Sequence, residues 1–497
     1  MPADPPPLGA AQIKAPAIAT AVVTPHEEHD RNRKWISAGV ILLLPVGILL
    51  AGPPAQIKPE GWRLLAVFAA TIAGLMLQPL PGGAVVLLGV TAVILVGSLP
   101  IAQALAGYSN PTVWLVLLAF LMARAFIKTG LARRIALYFV RALGHRSLGL
   151  AYALIFSDVV MATIIPANSS RAGGVILPIA RSLAEVYGSH PGKTASLLGA
   201  FLMVAVYHGD VVAATMFMTG QASNVLAAQM AATVAGVSIS WARWLWVAVV
   251  PALVSLVSVP ALLYWLSRPQ ITRTPAAAQF ARERLAEMGV PQRSEKVLLV
   301  IFFSVCGLWV TSAWNHLHTT LVPMLGVGAL FLTGILTWHD AITEHRAWDV
   351  FIWYGGLMRM GEALNEYGVT AYFSEHVGAA MSGWQWLATL MVVLLIYFYS
   401  HYAFASITAH LVAMYPPFLA LLVAKGVPAP LAAFSLAYFA NLDASLTHYG
   451  TTPGPIIFGT GYVDQITWWR LGFYVSAAHI IVWTLFGLAW WKFLGLW

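Results

Sequence analysis

The chain has 497 residues, of which 59% are hydrophobic and 9% charged. A soluble domain carries about 25% charged residues, so the composition excludes a soluble globular protein and requires a polytopic membrane protein, an all-α one given its helix-length apolar stretches. The formal net charge of +8 implies no nucleic-acid partner, because the basic residues sit where they orient a protein in a bilayer.

Residues 1–34 are rich in Pro and Ala and end in Asp30, Arg31, Arg33 and Lys34. No apolar core with a cleavage site precedes that charge cluster, so the segment reads as a disordered cytoplasmic tail and not as a signal peptide. From Trp35 onward, apolar spans follow one another. Lys128, Arg133, Arg134, Arg141 and Arg146 gather in one connection, and Arg268, Arg273, Arg282, Arg284, Arg293 and Lys296 in another. The connections 98–111, 230–240 and 313–319 carry no charge, and 365–383 carries Glu366 and Glu375 without Lys or Arg. This asymmetry places the N-terminus in the cytoplasm, and the expected location is the inner (plasma) membrane.

GLARRIALYFVRA, starting at Gly130, puts Leu131, Ile135, Phe139 and Ala142 on one helical face and Arg133, Arg134 and Arg141 on the other. GVTAYFSEHVGAA, starting at Gly368, repeats the spacing with Val369, Phe373, Val377 and Ala380. The pair reads as one interfacial helix used twice, on opposite membrane faces. Nearly the same offset relates IIPANSSRAGGVILPI (164–179) to YAFASITAHLVAMYPP (402–417): a polar tip, an apolar run, then proline. Each tip is followed by a second interruption, TGQASN (219–224) and THYGTTPGP (447–455). An odd number of spans separates the copies, so the repeats are inverted.

The arm after the first tip, Gly174 to Glu185, rises only about 18 Å at 1.5 Å per residue, little more than half of a ~30 Å hydrocarbon core. It reads as a re-entrant hairpin with its tip near the midplane, where irregular backbone is tolerated only in protein or along a wet cavity. Two such tips and two broken helices in inverted repeats form the pattern of a secondary transporter's substrate site. Ser, Thr and Gly also serve helix contacts, but that explains neither Arg171 nor the duplication. His208, Asp210, His401, His410, Asp443 and His448 lie at membrane depth, as functional groups or as satisfied internal partners. No HExxH is present, so a zinc enzyme is not expected. The Trp residues of WARWLW and ITWWR read as interfacial belts. Cys306 is the only cysteine, so no disulfide within the chain and no thiolate metal site is expected.

At these residues a family is recognisable. SNPTVWLVLLAFLMARAFIKTGLARRIA, PANSSRAGGVILPI, FASITAH and SLTHYGTTPGPIIFGTGYV together resemble the divalent anion:sodium symporter family, with greatest similarity to its branch of 2-oxoglutarate/malate and citrate/succinate exchangers. The resemblance runs from about Trp35 to the C-terminus. It implies about eleven transmembrane helices plus two re-entrant hairpins, a homodimer, and a transport domain moving against a fixed scaffold. The scaffold would occupy 35–147 and 296–383, the transport domain 148–266 and 384–497, and 267–295 would be a cytoplasmic linker.

Family members coupled to sodium carry Ser-Asn-Thr at both tips, whose oxygens hold cations and whose hydroxyls and amides hold substrate carboxylates. Here the tips read Ala167-Asn168-Ser169 and Ser406-Ile407-Thr408, and the second broken helix reads Pro453-Gly454-Pro455. Losing oxygen ligands weakens a site for a hard cation, which favours exchange. The resemblance places substrate contacts at Asn168, Ser169, Ser170, Arg171, Ser223, Asn224, Ser406, Thr408, His448, Thr451, Thr452 and Pro453. Arg171 and His448 would meet the anion's charge. The expected protein is a di- or tricarboxylate antiporter working by an elevator-type cycle, with no cofactor, no metal and no catalytic residue. A sodium- or proton-coupled symporter of the same anions is the alternative, and a membrane-embedded hydrolase the rival from another class.

Overall fold

The computed structural model describes residues 39–163 and 165–497. The expected tail, 1–34, lies outside the described residues, as does Ile164 within the first tip. The fold is all-helical: 79% of the described residues are helix, and the only β pairing among them is a single bridge between Arg146 and Arg273. Among the described residues, seven helices are long and apolar enough to cross a membrane, including Pro59–Leu77, Pro111–Thr129, Trp241–Leu266 and Ile407–Ala424, and four apolar helices are shorter. The outer surface is greasy, with Leu332 91% exposed and Leu50 83% exposed, as expected where lipid replaces water as the solvent.

Local sequence sets the ends of these helices. Asn110 caps Pro111–Thr129 by accepting from the Thr112 amide at 2.9 Å, Pro111 presets the first turn, and Gly130 closes the helix in the left-handed region at φ 78°. Gly130 also launches the amphipathic helix Leu131–Leu143, and Gly368, at φ 86°, launches its counterpart Val369–Ala379.

One layer is built around His345–Glu366, which packs on Gly82–Leu95 and Pro111–Thr129. The approach is close enough that a Cβ on Gly107 would lie 2.1 Å from the Gly355 carbonyl oxygen, so no side chain fits there. The other layer surrounds Gly199–Met216, which is buried along nearly all of its length against Ser147–Ala162, Trp241–Leu266 and Ala429–Leu442. Ile407–Ala424 packs on Ala222–Ala235 and Ala429–Leu442. Leu177–Val186, the arm after the first tip, packs on Gly199–Met216, and Ile407–Ala424, the arm after the second, also packs on Val369–Ala379 and touches His345–Glu366.

Two expectations of the sequence are corrected here. Arg134, read as part of a solvated basic face, is buried: its guanidinium bonds Glu295 at 2.6 and 3.2 Å and the carbonyls of Gly289 and Met288 at 2.9 and 3.3 Å. The buried stripe of Leu131–Leu143 is accordingly rotated, with Ala136, Leu137 and Val140 inward and Ala142 exposed. The tryptophans are also not uniformly a belt. Trp241, Trp244 and Trp468 are buried, and Trp244 donates to Thr215 O at 3.0 Å.

The segment 267–295 is docked, not free. Thr274 N donates to His145 O at 2.8 Å, and the helix Pro275–Glu287 lies on Leu131–Leu143. Nearby, Lys128 bonds Asp340 at 2.6 Å. Burial alone would raise the Asp340 carboxyl, but bonds from Lys128 and Thr337 outweigh it and hold the group well below the usual carboxylate range.

Because Arg134 and Glu295 compensate each other away from water, removing one partner strands the other. Glu295→Gln should cost about 3–5 kcal/mol and lower the melting temperature of the purified protein. Replacing both by apolar residues of similar volume should recover much of that loss.

Candidate functional site

Four interruptions of helix meet at one place. The first is 163–167, after Ser147–Ala162, and the chain resumes at Asn168 as a π-helix, Ser169–Ile176, that runs into Leu177–Val186. Pro178 has no N–H to offer the Gly174 carbonyl four residues back, and a widened turn is one way to accommodate that loss. The second interruption lies between Met216 and Ala222, the third between Ala403 and Ile407, and the fourth between Leu446 and Pro453.

A cavity of about 800 Å³ opens where they meet. One wall consists of the starts of helices: Asn168 and Ser169, Gln221 and Ala222, Ser406 to Thr408, and Thr451 and Thr452. Three of these helices are long, so three positive dipole ends face the same volume; the first amides of Ser169–Ile176 are already bonded to Asn168 Oδ1 and Ala167 O, and the Ala409 amide to Ser406 Oγ. The opposite wall is Gln78 to Gly82 together with His345, Arg346, Asp349 and Trp353. Asp349 accepts from the Gly83 amide at 2.9 Å.

Asn168 ties the helix starts together. Its amide donates to Thr451 Oγ1 at 2.9 Å and to Gln221 Oε1 at 3.3 Å, and its oxygen accepts from Thr452 Oγ1 at 3.0 Å and from the Ser169 amide at 3.0 Å. Its hydrogens are therefore committed within the protein. The hydroxyls of Ser169 and Thr408 have no protein partner among the described residues, which leaves them able to donate into the cavity. Ser406 Oγ caps its helix from 3.4 Å.

Six of the residues expected at the site line this cavity: Asn168, Ser169, Ser406, Thr408, Thr451 and Thr452. The other six do not. Arg171 is fully buried beneath the tip, bonded to Asp158 and Asp210 at 3.0 Å each and to the carbonyls of Ile165 and Gly220 at 2.5 and 2.6 Å. Two carboxylates and two carbonyls already surround its charge, so it cannot also face an open cavity. Asn224 staples the second interruption, donating to Ala214 O and Phe217 O at 2.8 and 2.9 Å and accepting from Asn441 at 2.7 Å. Ser223 is buried beside it. His448 accepts from Trp469 Nε1 at 3.1 Å and stacks on Phe458. Pro453 is the buried first residue of its helix. Ser170 sits at the rim, where Arg346 donates to its hydroxyl at 3.2 Å.

Gln221 and Arg346 are the residues that sequence reasoning missed. Gln221 stands in the TGQASN interruption beside the two residues chosen there. Arg346 belongs to EHRAWD, a charged stretch that reads as a cytoplasmic edge, and no periodicity marks it as facing a cavity. Among the described residues it makes no ion pair with a carboxylate. Elsewhere, His401, His410 and Asp443 lie fully buried with their nearest ring nitrogens and carboxylate oxygens 3.0 and 3.4 Å apart, close enough to share one cation.

An all-helical protein with membrane-length apolar helices whose starts meet around one cavity has the build of a membrane transporter. Residues 32–497 match the family described as the sodium:sulfate symporter transmembrane region, and the chain belongs to that family, the divalent anion:sodium symporters. It is 42% identical to YflS of Bacillus subtilis (strain 168), named as a candidate malate transporter, over 92% of this chain and 96% of that one. It is 41% identical to dicarboxylate transporter 1, chloroplastic, of Arabidopsis thaliana, over 93% of this chain and 82% of the relative. In fold it is similar to the MtrF efflux pump of Neisseria gonorrhoeae, with a TM-score of 0.55 at 13% identity, covering 91% of this chain and 93% of that one.

Arg171 holds the first tip against the first broken helix, so its loss should be read as instability. Arg171→Gln leaves two buried carboxylates unpaired, a cost of about 3–5 kcal/mol. The expected result is loss of a monodisperse peak in size-exclusion chromatography. Arg171→Gln combined with Asp210→Asn should restore part of it.

Proposed function

We propose that this protein exchanges dicarboxylates across the inner membrane, with the anion held between the two tips in the cavity bounded by Asn168, Thr408 and Arg346. The observation that carries this reading is the convergence of helix starts with free hydroxyls on one wall and, on the other, a guanidinium that makes no ion pair with a carboxylate among the described residues. Backbone amides at helix N-termini bind anions readily, and an arginine fork matches a carboxylate in shape. The names of the relatives supply the substrate class. A dicarboxylate spans the distance between walls by presenting one carboxylate to Ser169 and Thr408 and the other to Arg346.

Exchange is preferred over sodium symport because of Arg171. The carbonyls of Ile165 and Gly220, the kind of oxygens that would hold a mobile cation, are already occupied by its guanidinium. Ile407 and Gly454 add no side-chain oxygen elsewhere. The two tips act as re-entrant hairpins within a transport domain of 148–266 and 384–497, which moves against a scaffold of 35–147 and 296–383. Packing around His345–Glu366 in one set and around Gly199–Met216 in the other supports that division, with Leu131–Leu143 and Val369–Ala379 bridging the two, and the family resemblance supports a homodimer. The basic connections support a cytoplasmic N-terminus.

Uptake of labelled malate into proteoliposomes should require an internal dicarboxylate and persist without sodium. Uptake into empty vesicles that follows a sodium gradient would replace exchange by symport. Each donor to a charged carboxylate is worth about 1.5–3 kcal/mol, so Thr408→Ala and Ser169→Ala should each raise KM roughly ten- to a hundredfold. Arg346→Gln should raise KM at least as much, and Arg346→Lys should recover only part of the loss. Unchanged KM on substitution at all three positions would remove the anion from this cavity.

A further inference from the structure

A second cavity, of about 460 Å³, shares no lining residue with the one between the tips. Four segments enclose it: the end of Pro111–Thr129, the amphipathic helix Leu131–Leu143, the arm after the first tip, and the docked helix Pro275–Glu287. Its volume falls within the about 300–1,000 Å³ range of small-molecule sites.

The wall is apolar over most of its extent. Ile127, Val175, Pro178 and Phe280 contribute to it, and Ile127 is 43% exposed. Gly174 lines it as well, and a Cβ built there would meet no heavy atom within 4 Å. That side of the arm therefore borders open space and not a packed seam between helices.

Two guanidiniums share the cavity with these apolar groups. Arg133 is exposed and makes no ion pair with a carboxylate among the described residues. Arg284 lies over the Phe280 ring, 5.2 Å from its centroid, and donates to both carboxylate oxygens of Glu287 at 2.9 and 2.7 Å. The Glu287 side chain is 58% exposed, and an ion pair that open to water is weak enough to be exchanged for a better-matched anion. Ser182 adds a hydroxyl with no protein partner among the described residues.

This combination selects its occupant. A dissolved phosphate or a dicarboxylate has nothing to bury against Ile127, Val175 and Pro178, and a zwitterionic lipid brings no net charge to balance Arg133. A molecule with acyl chains and an anionic phosphate meets both demands, because an arginine fork matches phosphate in shape. The amphipathic helix Leu131–Leu143 puts the cavity at the bilayer surface. With the orientation proposed above this is the cytoplasmic face, where basic pockets between helices bind anionic headgroups.

We propose that this cavity is a binding site for an anionic phospholipid, whose phosphate lies between Arg133 and Arg284 and whose chains run along Val175 and Pro178. The arm belongs to the part that moves in the proposed exchange cycle, and Pro111–Thr129 to the part that stays. A lipid seated between them favours this arrangement of the two, so anionic lipid in the bilayer sets the exchange rate. That consequence rests on the function proposed above; the lipid site itself does not.

The direct test is native mass spectrometry of the full chain in detergent, titrated with phosphatidylglycerol or phosphatidylcholine. Retention of phosphatidylglycerol in preference to phosphatidylcholine is the expected result. Each arginine near a membrane surface is worth roughly fivefold in affinity for anionic lipid, so Arg133→Gln should weaken retention about fivefold and Arg133→Gln with Arg284→Gln about 25-fold. Gly174→Leu, which fills the open space without changing charge, should also release the lipid. Arg141→Gln, on the same helix but away from the cavity and over the Tyr138 ring, should leave retention unchanged. Equal retention of the two lipids, or an equal loss in Arg141→Gln and Arg133→Gln, would overturn the proposal, as would displacement by inorganic phosphate. Melting temperatures separate lost lipid from lost fold, and the exposed Arg133→Gln decides the matter if Gly174→Leu does not fold. In proteoliposomes, malate exchange should differ between phosphatidylcholine vesicles with and without phosphatidylglycerol, and the difference should vanish in Arg133→Gln. If malate is not exchanged at all, the function fails and mass spectrometry still decides the lipid site. A native rate indifferent to phosphatidylglycerol would remove the coupling.

Discussion

A helix interrupted at membrane depth leaves amides and carbonyls that hydrocarbon cannot satisfy, and the rest of this molecule is arranged around meeting that demand four times over. Arg171 does so for the first tip and the first broken helix at once, because one planar guanidinium reaches Ile165 O and Gly220 O while Asp158 and Asp210 balance its charge. Asn224 does so for the second interruption through two carbonyls, and Asn168 joins the first tip to both broken helices. The carbonyls are thus taken by the protein itself, while the dipole ends of three long helices and the hydroxyls of Ser169 and Thr408 are left toward the cavity. What remains exposed to the cavity is donor-rich, and under the proposed function that is the electrostatic basis of a preference for anions.

The architecture was largely legible in the sequence because its signals are periodic or repeated. Span-length apolar runs, the two Gly-led amphipathic segments and the paired polar tips all survive into the structure. Side-chain direction was not legible. Arg134 and Arg171 were both read as facing solvent or substrate, and both are buried, since a lone arginine gives no sign that a carboxylate from a distant segment will meet it. Glu295 is 161 residues from Arg134, and Asp210 is 39 from Arg171. Arg346 shows the reverse: its neighbours in sequence are polar, yet the fold carries it to the cavity wall.

The two walls of that cavity differ in kind. The wall of helix starts offers neutral donors fixed by backbone geometry, while the other offers a flexible guanidinium next to a carboxylate anchored on Gly83. A ligand with one anionic end satisfies only one wall. This asymmetry favours molecules with two separated charges, and Asp349 disfavours additional negative charge on the Arg346 side through like-charge repulsion.

The π-helical turn at Ser169–Ile176 also bears on how such a site changes over evolutionary time. A π turn corresponds to one residue inserted into an α-helix, and one residue is about 100° of rotation. Deleting a single position between Ser170 and Leu177 would therefore turn the tip relative to its own arm without altering the helices that anchor it. Side chains now directed into the buried layer would swing toward the cavity, and the reverse. A change of specificity at this tip is consequently accessible through length as well as through substitution, in a segment where aligned residue identities alone would conceal it.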